Sequence, residues 1–246
     1  MTRIRKWTLL GVAALCAALF IRLGFWQLDR RAGRLALEAA ITARGDLAPL
    51  DWTGASGASA VPMDTAGVIW RRARVVGRYD RAGEVVLRGR SSPDGRPGVE
   101  VLTPLEVGGA ALMVIRGWLP APDALRPDLE AGWPATTPHG EVVVEGLIIP
   151  RSDGRGGRPV PVSSNGGEHL ALAGADLDAI SHHLGYRVYP FVLQARDDGL
   201  EAPGLGPPRA LDRGNGPHLS YALQWFSFAV ISVAGTAAVL RKEGRR

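Results

Sequence analysis

Hydrophobic positions are spread unevenly along this chain. Two stretches are continuously apolar: WTLLGVAALCAALFIRLGFWQL at 7–28 and YALQWFSFAVISVAGTAAVL at 221–240. Between them, apolar residues come in short runs broken by charges, Gly and Pro. A helix needs about 20 mostly apolar residues to cross the hydrocarbon core of a bilayer. The second stretch meets this with no charge at all, and the first is uncharged from Trp7 to Ile21. Arg22 interrupts the first stretch; it either snorkels to headgroups or meets an anionic group. The pattern predicts transmembrane helices over 7–28 and 218–240, with tails at 1–6 and 241–246. Arg3, Arg5 and Lys6 ahead of an apolar run also fit a secretory signal peptide. The apolar character runs on to Leu28, however, and Leu15 is too bulky for a lipoprotein site before Cys16, so an uncleaved anchor is expected.

Residues 29–217 form the domain between the spans. DRRAGRLALEAAITAR (29–44) reads as a helix continuing out of the membrane. Asp51–Gly67, rich in Gly, Ala and Ser, reads as loop. Strands are predicted at 70–80, 84–90, 141–150 and 186–196, and a hairpin joins 98–107 to 111–120 across Gly-Gly-Ala. Residues 171–185 suit a short helix stopped by Gly185. RSDGRGGRPVPVSSNGG (151–167) reads as a loop, and the Gly/Pro-rich 197–217 as a linker. The expected fold class is an α+β membrane protein: two antiparallel transmembrane helices flanking a mainly antiparallel β outer domain. That domain is a sheet or partly closed barrel with one or two short helices.

Charge then sets topology and removes function classes. The chain has 29 Lys+Arg against 24 Asp+Glu and a pI near 10.0. Basic residues flank both spans on their terminal sides, and positive flanks mark the cytoplasmic side. Both termini are therefore expected in the cytoplasm of a cell with the domain outside, in the periplasm across a plasma (inner) membrane. Residues 31–220 carry 20 basic and 22 acidic side chains, about −2, so the domain is no basic surface for nucleic acid. The lone cysteine, Cys16, rules out an internal disulfide and any Cys pair for copper or thiol exchange. No nucleophile-elbow, zinc-protease or phosphate-loop motif occurs, so no enzyme activity is expected.

Two tetrapeptides mirror each other: FWQL at 25–28 and LQWF at 223–226. Oppositely directed spans would put them in one layer, with Gln27 level with Gln224 and Trp26 with Trp225. Interfacial Trp and an interhelical Gln pair explain such a layer structurally. At 100° per residue, His218, Tyr221, Ala222, Trp225 and Ala229 share one face of the second span. An apolar macrocycle could lie on that face with the imidazole as axial iron ligand, although an interfacial His also serves as a simple polar cap. Arg116, Gly117 and Trp118 are either a partner-binding patch or a buried strand end with a bulge. Adjacent His182 and His183, with His139 and His169, are a weak basis for zinc.

Several segments, in order, carry a family resemblance. These are LGFWQLDR (23–30), WRRARVVGRYD (70–80), RPGVEVLTPL (96–105), VIRGWLP (114–120), EVVVEGLIIP (141–150), YPFVLQ (189–194) and HLSYALQWFSFA (218–229). The set resembles the Surfeit-locus (Surf-one/Shy-one type) cytochrome c oxidase assembly factors over nearly the whole chain. The resemblance implies a membrane chaperone of the respiratory chain. It implies haem a, held transiently, as cofactor, and the main subunit of a haem–copper oxidase and haem a synthase as partners. It maps the family's His before the second span onto His218, its Trp-Gln pair onto Trp26 and Gln27, and its Arg-Gly-Trp onto Arg116, Gly117 and Trp118. Tyr221, Trp225 and Trp26 would then line the haem plane. The other expectation is a haem-free scaffold that stabilises oxidase assembly intermediates.

Overall fold

The computed structural model describes residues 2–54, 61–92, 94–121, 123, 129, 137–150, 159–164, 167–197, 205–206 and 217–244. The chain divides into two compact units, Met1–Ala40 with Asp212–Arg246, and Ile41–Leu211.

The first unit is made of two long helices. Helix α1 runs from Arg3 to Gly45 without a break, so the expected continuation beyond residue 28 is present. Helix α3 spans His218–Gly244. Both are long and apolar enough to cross a membrane. Their apolar side chains are largely uncovered: Leu15 is 72% exposed, Val230 67% and Ile231 63%. The core helix of a soluble protein would hide such residues, and bare in water they would lose about 1.5–3 kcal/mol each. Lipid removes that loss, and these are the helices of a two-pass membrane protein.

The second unit is a β domain, and its strands follow from period-two burial. Strand β2 (Arg72–Tyr79) and a later strand (Glu141–Pro150, β6) alternate covered and open side chains, with one face inward. Two strands between them, β4 (Pro97–Val107) and β5 (Ala110–Pro120), are buried on both faces. They form the expected hairpin, turning at Gly108–Gly109, where both φ values are positive. A two-residue turn of this kind matches the strand twist only with such backbones. The remaining strands are β1 (Leu50–Trp52), β3 (Val85–Ser91), β7 (Val160–Ser164), β8 (Gly167–Leu172) and β9 (Val188–Asp197). The sheet order is β1-β2-β6-β9-β5-β4-β3-β8-β7, and β2 also pairs with β4. That extra pairing closes β2, β6, β9, β5 and β4 into a five-stranded barrel. Most pairings are antiparallel; β1–β2, β3–β8 and β5–β9 are parallel.

Strand β5 divides its side chains between two cores. Leu112 and Val114 face the barrel interior with Val75, Leu105, Ile148 and Phe191. Met113 and Ile115 face outward onto Leu177 and Ile180 of helix α2 (Leu177–Leu184). Asp176 caps that helix by accepting from the Ala179 amide, and Gly185 ends it as expected.

Three expectations are corrected. Residues 50–52, inside or beside the expected loop, pair with β2. Residues 160–164 lie in strand β7, and 167 begins β8; positions 151–158 of that expected loop lie outside the described residues. Ala171 and Leu172, assigned to the helix, belong to β8, because they pair with Val86 and Leu87. β1 and β7 are the two edges of the sheet, where short strands and a proline (Pro161) are tolerated and the hydrophobic signal is weak. Most of the expected linker at 197–217 also lies outside the described residues.

A buried polar knot sits on this frame. Glu84 accepts from the hydroxyls of Thr103 (2.9 Å) and Thr137 (2.6 Å) and from Arg116 Nη1 (3.3 Å). The Arg116 guanidinium has no exposed side-chain area and lies 5.3 Å from the Tyr79 ring. Arg116 is the extra residue at a bulge, since Val101 pairs with Gly117 and Leu102 with Ile115. The bulge aims the guanidinium at Glu84. Removing one member of a buried ion pair strands the other. Arg116→Met is therefore expected to lower stability by about 3–5 kcal/mol in chemical denaturation of the full chain.

His169 is also buried, with Nδ1 3.3 Å from the Glu84 carbonyl oxygen and Nε2 2.8 Å from Ser164 Oγ. Desolvation by burial holds its pKa below the ordinary 6.5, so it is neutral in the folded domain. Below about pH 6.5 the unfolded chain takes up a proton that the folded one refuses. This contribution to stability is complete above that pH and is lost as pH falls toward the depressed folded value. Unfolding curves at pH 5 and 7.5 should diverge in the wild type, and diverge less in His169→Asn.

Candidate functional site

Small residues decide how the two helices meet. Ala17 and Gly24 are buried on α1, and Ala222 and Ala229 on α3; each pair is seven residues apart. Spacing of seven keeps one seam facing a partner helix. Small side chains on that seam let membrane helices approach closely. A Cβ on Gly24 would lie 2.5 Å from Phe226 Cε1, so the Phe226 ring occupies the space that glycine leaves. Phe25 meets Phe226 edge-on at 5.5 Å, and Phe20 stacks on Trp225 at 5.7 Å and 23°. Phe228 closes a three-ring group with Phe20 and Trp225.

This packing brings Gln27 to His218. The Gln27 Oε1 lies 2.9 Å from His218 Nδ1, across 191 residues of sequence. A carbonyl oxygen only accepts, so Nδ1 carries the proton and donates it to Gln27. In the neutral ring with this hydrogen bond, Nε2 is the nitrogen with a lone pair. His218 is half-buried and is the first residue of α3.

The mirrored tetrapeptides are thus only partly a layer. Their phenylalanines touch, but Gln27 bonds His218 rather than the expected Gln224. Gln224 is exposed and lies six residues further along α3, about 9 Å at 1.5 Å per residue. The expected aromatic platform is divided as well. Trp225 gives its ring face to Phe20, and Ala222 and Ala229 are spent on helix contact. Tyr221 (47%) and Trp26 (52%) remain exposed, and Trp26 has the Arg30 guanidinium at 5.9 Å. Arg22 is exposed too. The stripe read from helical periodicity is therefore mainly a packing seam, with His218 at its N-terminal end.

The Arg-Gly-Trp triplet belongs to the β domain interior. Arg116 and Trp118 are buried, and the Trp118 amide and carbonyl both bond Gly206 (2.9 and 2.8 Å). A Cβ on Gly117 would come within 2.5 Å of the Gly206 carbonyl oxygen. A partner-binding anchor must reach the surface, and these side chains do not, so of the two expectations the triplet matches the buried strand end with a bulge. The other histidines are dispersed. His139 contacts Arg81 at 2.9 Å, His169 is buried beside Glu84, and His182 and His183 are exposed on α2. Among the described residues no three metal-ligating side chains come together.

The model of the SURF1 family matches residues 14–230. The chain belongs to the SURF1 family. The match takes in Gly24, Gln27 and His218 as well as the whole β domain, so both units are parts of the family's architecture. The SURF1 family is one of cytochrome oxidase assembly factors. A comparison with curated proteins gave no match.

The Gln27–His218 pair was missed because each residue was assigned a different partner. The usable signal was Gly24, a small residue where the helices must approach. Glu84 was missed altogether, since its partners lie 19, 32 and 53 residues away. Gly24→Leu is expected to push the helices apart by about 2 Å, across the usual 8–10 Å range of axis separations. Spin labels at Leu19 and Val230, in a Cys16→Ser background, would read that change by pulsed electron resonance.

Proposed function

We propose that this chain is a non-enzymatic, membrane-anchored assembly factor for a haem–copper oxidase, and that His218 holds haem a on its way to the main oxidase subunit. The observation that carries this reading is the Gln27 Oε1 contact to His218 Nδ1 at 2.9 Å. Metal-ligating histidines characteristically donate their other ring N–H to an oxygen acceptor. The donor set therefore fits a histidine that would hold haem iron through Nε2. Bound haem would supply an iron centre in need of such a ligand.

The chain's own residues set the conditions around that nitrogen. Exposed Tyr221 offers apolar surface one turn along α3 from the imidazole, and Trp26 does so on α1 beside Gln27. The Phe20–Trp225–Phe228 group keeps the helices in register further along. Haem a synthase, as source, and the oxidase main subunit, as acceptor, are the partners of this reading. Basic residues on the terminal sides of both helices support cytoplasmic termini, with the β domain outside an inner or plasma membrane.

A second reading uses the same bond differently: Gln27 and His218 staple the helices, and the protein is a haem-free scaffold for assembly intermediates. The two separate on one variant. Protein purified from cells that make haem a should show a haem absorption spectrum, and His218→Ala should weaken binding by more than about 100-fold, beyond what loss of an outer partner causes. No haem in wild type, or full haem in His218→Ala, would sink the ligand role. Oxidase subunits co-purifying with a haem-free wild type would favour the scaffold.

A further inference from the structure

We propose that Gln27 is a positioning residue for His218: the first membrane helix sets which imidazole nitrogen is free to bind a metal. This deepens the haem reading above and rests on it. A neutral imidazole side chain left to itself favours the proton on Nε2, and a nitrogen holding a proton has no lone pair for iron. The hydrogen bond made by one ring nitrogen determines the state of the other. Gln27 Oε1, at 2.9 Å, selects the form with Nδ1 protonated. It also fixes the plane of the ring, since an imidazole tethered at one nitrogen loses most of its rotation about the Cβ–Cγ bond.

The surroundings of Gln27 suit this task. Gly24, one turn earlier, leaves the space that the Phe226 ring fills, and Phe25 on the same turn packs edge-on against Phe226. The amide is thus carried on a stiff part of α1. Gln27 is itself half-buried, which limits competition from water for His218. A ligand at the start of α3 is in this way completed by a residue near the other end of the chain. The first helix then does more than anchor: without it, the second helix presents a histidine with an unselected tautomer.

The tautomer is read without haem. In full-length protein labelled with 15N-histidine in detergent, His218 is one of five histidines and is identified by its loss in His218→Ala. Wild type should show a protonated Nδ1 and a lone-pair Nε2. Gln27→Leu, which has no acceptor, should shift the population toward protonated Nε2, and Gln27→Glu, which keeps one, should restore the wild-type pattern. With haem bound, Gln27→Leu should weaken binding roughly 10–100-fold. It should also lower the iron–histidine stretching frequency of the ferrous form, while Gln27→Glu should hold or raise it. A helix staple alone would change thermal stability but leave that frequency in place.

A protonated Nε2 in wild type, or a Gln27→Leu variant with unchanged tautomer, affinity and frequency, overturns the role of Gln27 and leaves His218 as ligand standing. A wild type that holds no haem overturns the ligand reading alone, while the nitrogen spectrum reports separately whether Gln27 sets the tautomer of His218.

Discussion

A glycine facing a phenylalanine controls the distance between the two membrane helices. In lipid the hydrophobic effect does not drive helices together, so close packing and a few polar bonds must do so. Gly24 lets the Phe226 ring occupy space that any side chain would fill. Ala17, Ala222 and Ala229 continue the seam at spacings of seven. The hydrogen bond between Gln27 and His218 needs both side chains within reach of one another. It is therefore a consequence of that close packing, and the chemistry proposed for His218 inherits the same dependence.

The β domain solves a different problem. A carboxylate and a guanidinium have been taken out of water, and desolvation makes such a pair costly unless nearly every polar atom is met. Two threonine hydroxyls and Arg116 converge on one oxygen of Glu84, and the Tyr79 ring covers the cation. Residues from β4, β5 and the segment before β6 meet in this knot, so it joins barrel strands that are distant in sequence. The bulge at Arg116 is the backbone device that makes the meeting geometrically possible. The Arg-Gly-Trp triplet is thus a component of the domain's interior, and only His218, Tyr221, Trp26 and Gln224 among the expected site residues keep substantial exposure or a free ring atom.

Legibility in the sequence tracked the range of the interaction. The α1 and α3 helices, the 97–120 hairpin and the 177–184 helix follow from apolar length, a Gly-Gly turn and a capped amphipathic run, all local signals. Strands β1 and β7 were invisible because edge strands need only pair on one side and carry little apolar pattern. β8 was partly read as helix because Ala171 and Leu172 have no strand preference of their own until Val86 and Leu87 lie beside them. Closure of the barrel through β2 and β4 rests on only two residue pairs, Arg78 with Glu106 and Tyr79 with Leu105. No pattern within either strand announces it.

The candidate site shows the same division. The sequence by itself determined that two apolar helices bound a β domain, that His218 heads the second helix, and that a Trp-Gln pair lies near the C-terminal end of the first apolar stretch. Helical periodicity also named the stripe on which His218 stands. It could not say what the stripe faces, since periodicity gives the angle around one helix and nothing about the offset between two. That offset is fixed by side-chain volume at the contact, where Gly24 admits Phe226. Tertiary structure alone therefore gave Gln27 to His218 instead of Gln224, turned the alanines of the stripe into packing, and buried Arg116 beside Glu84.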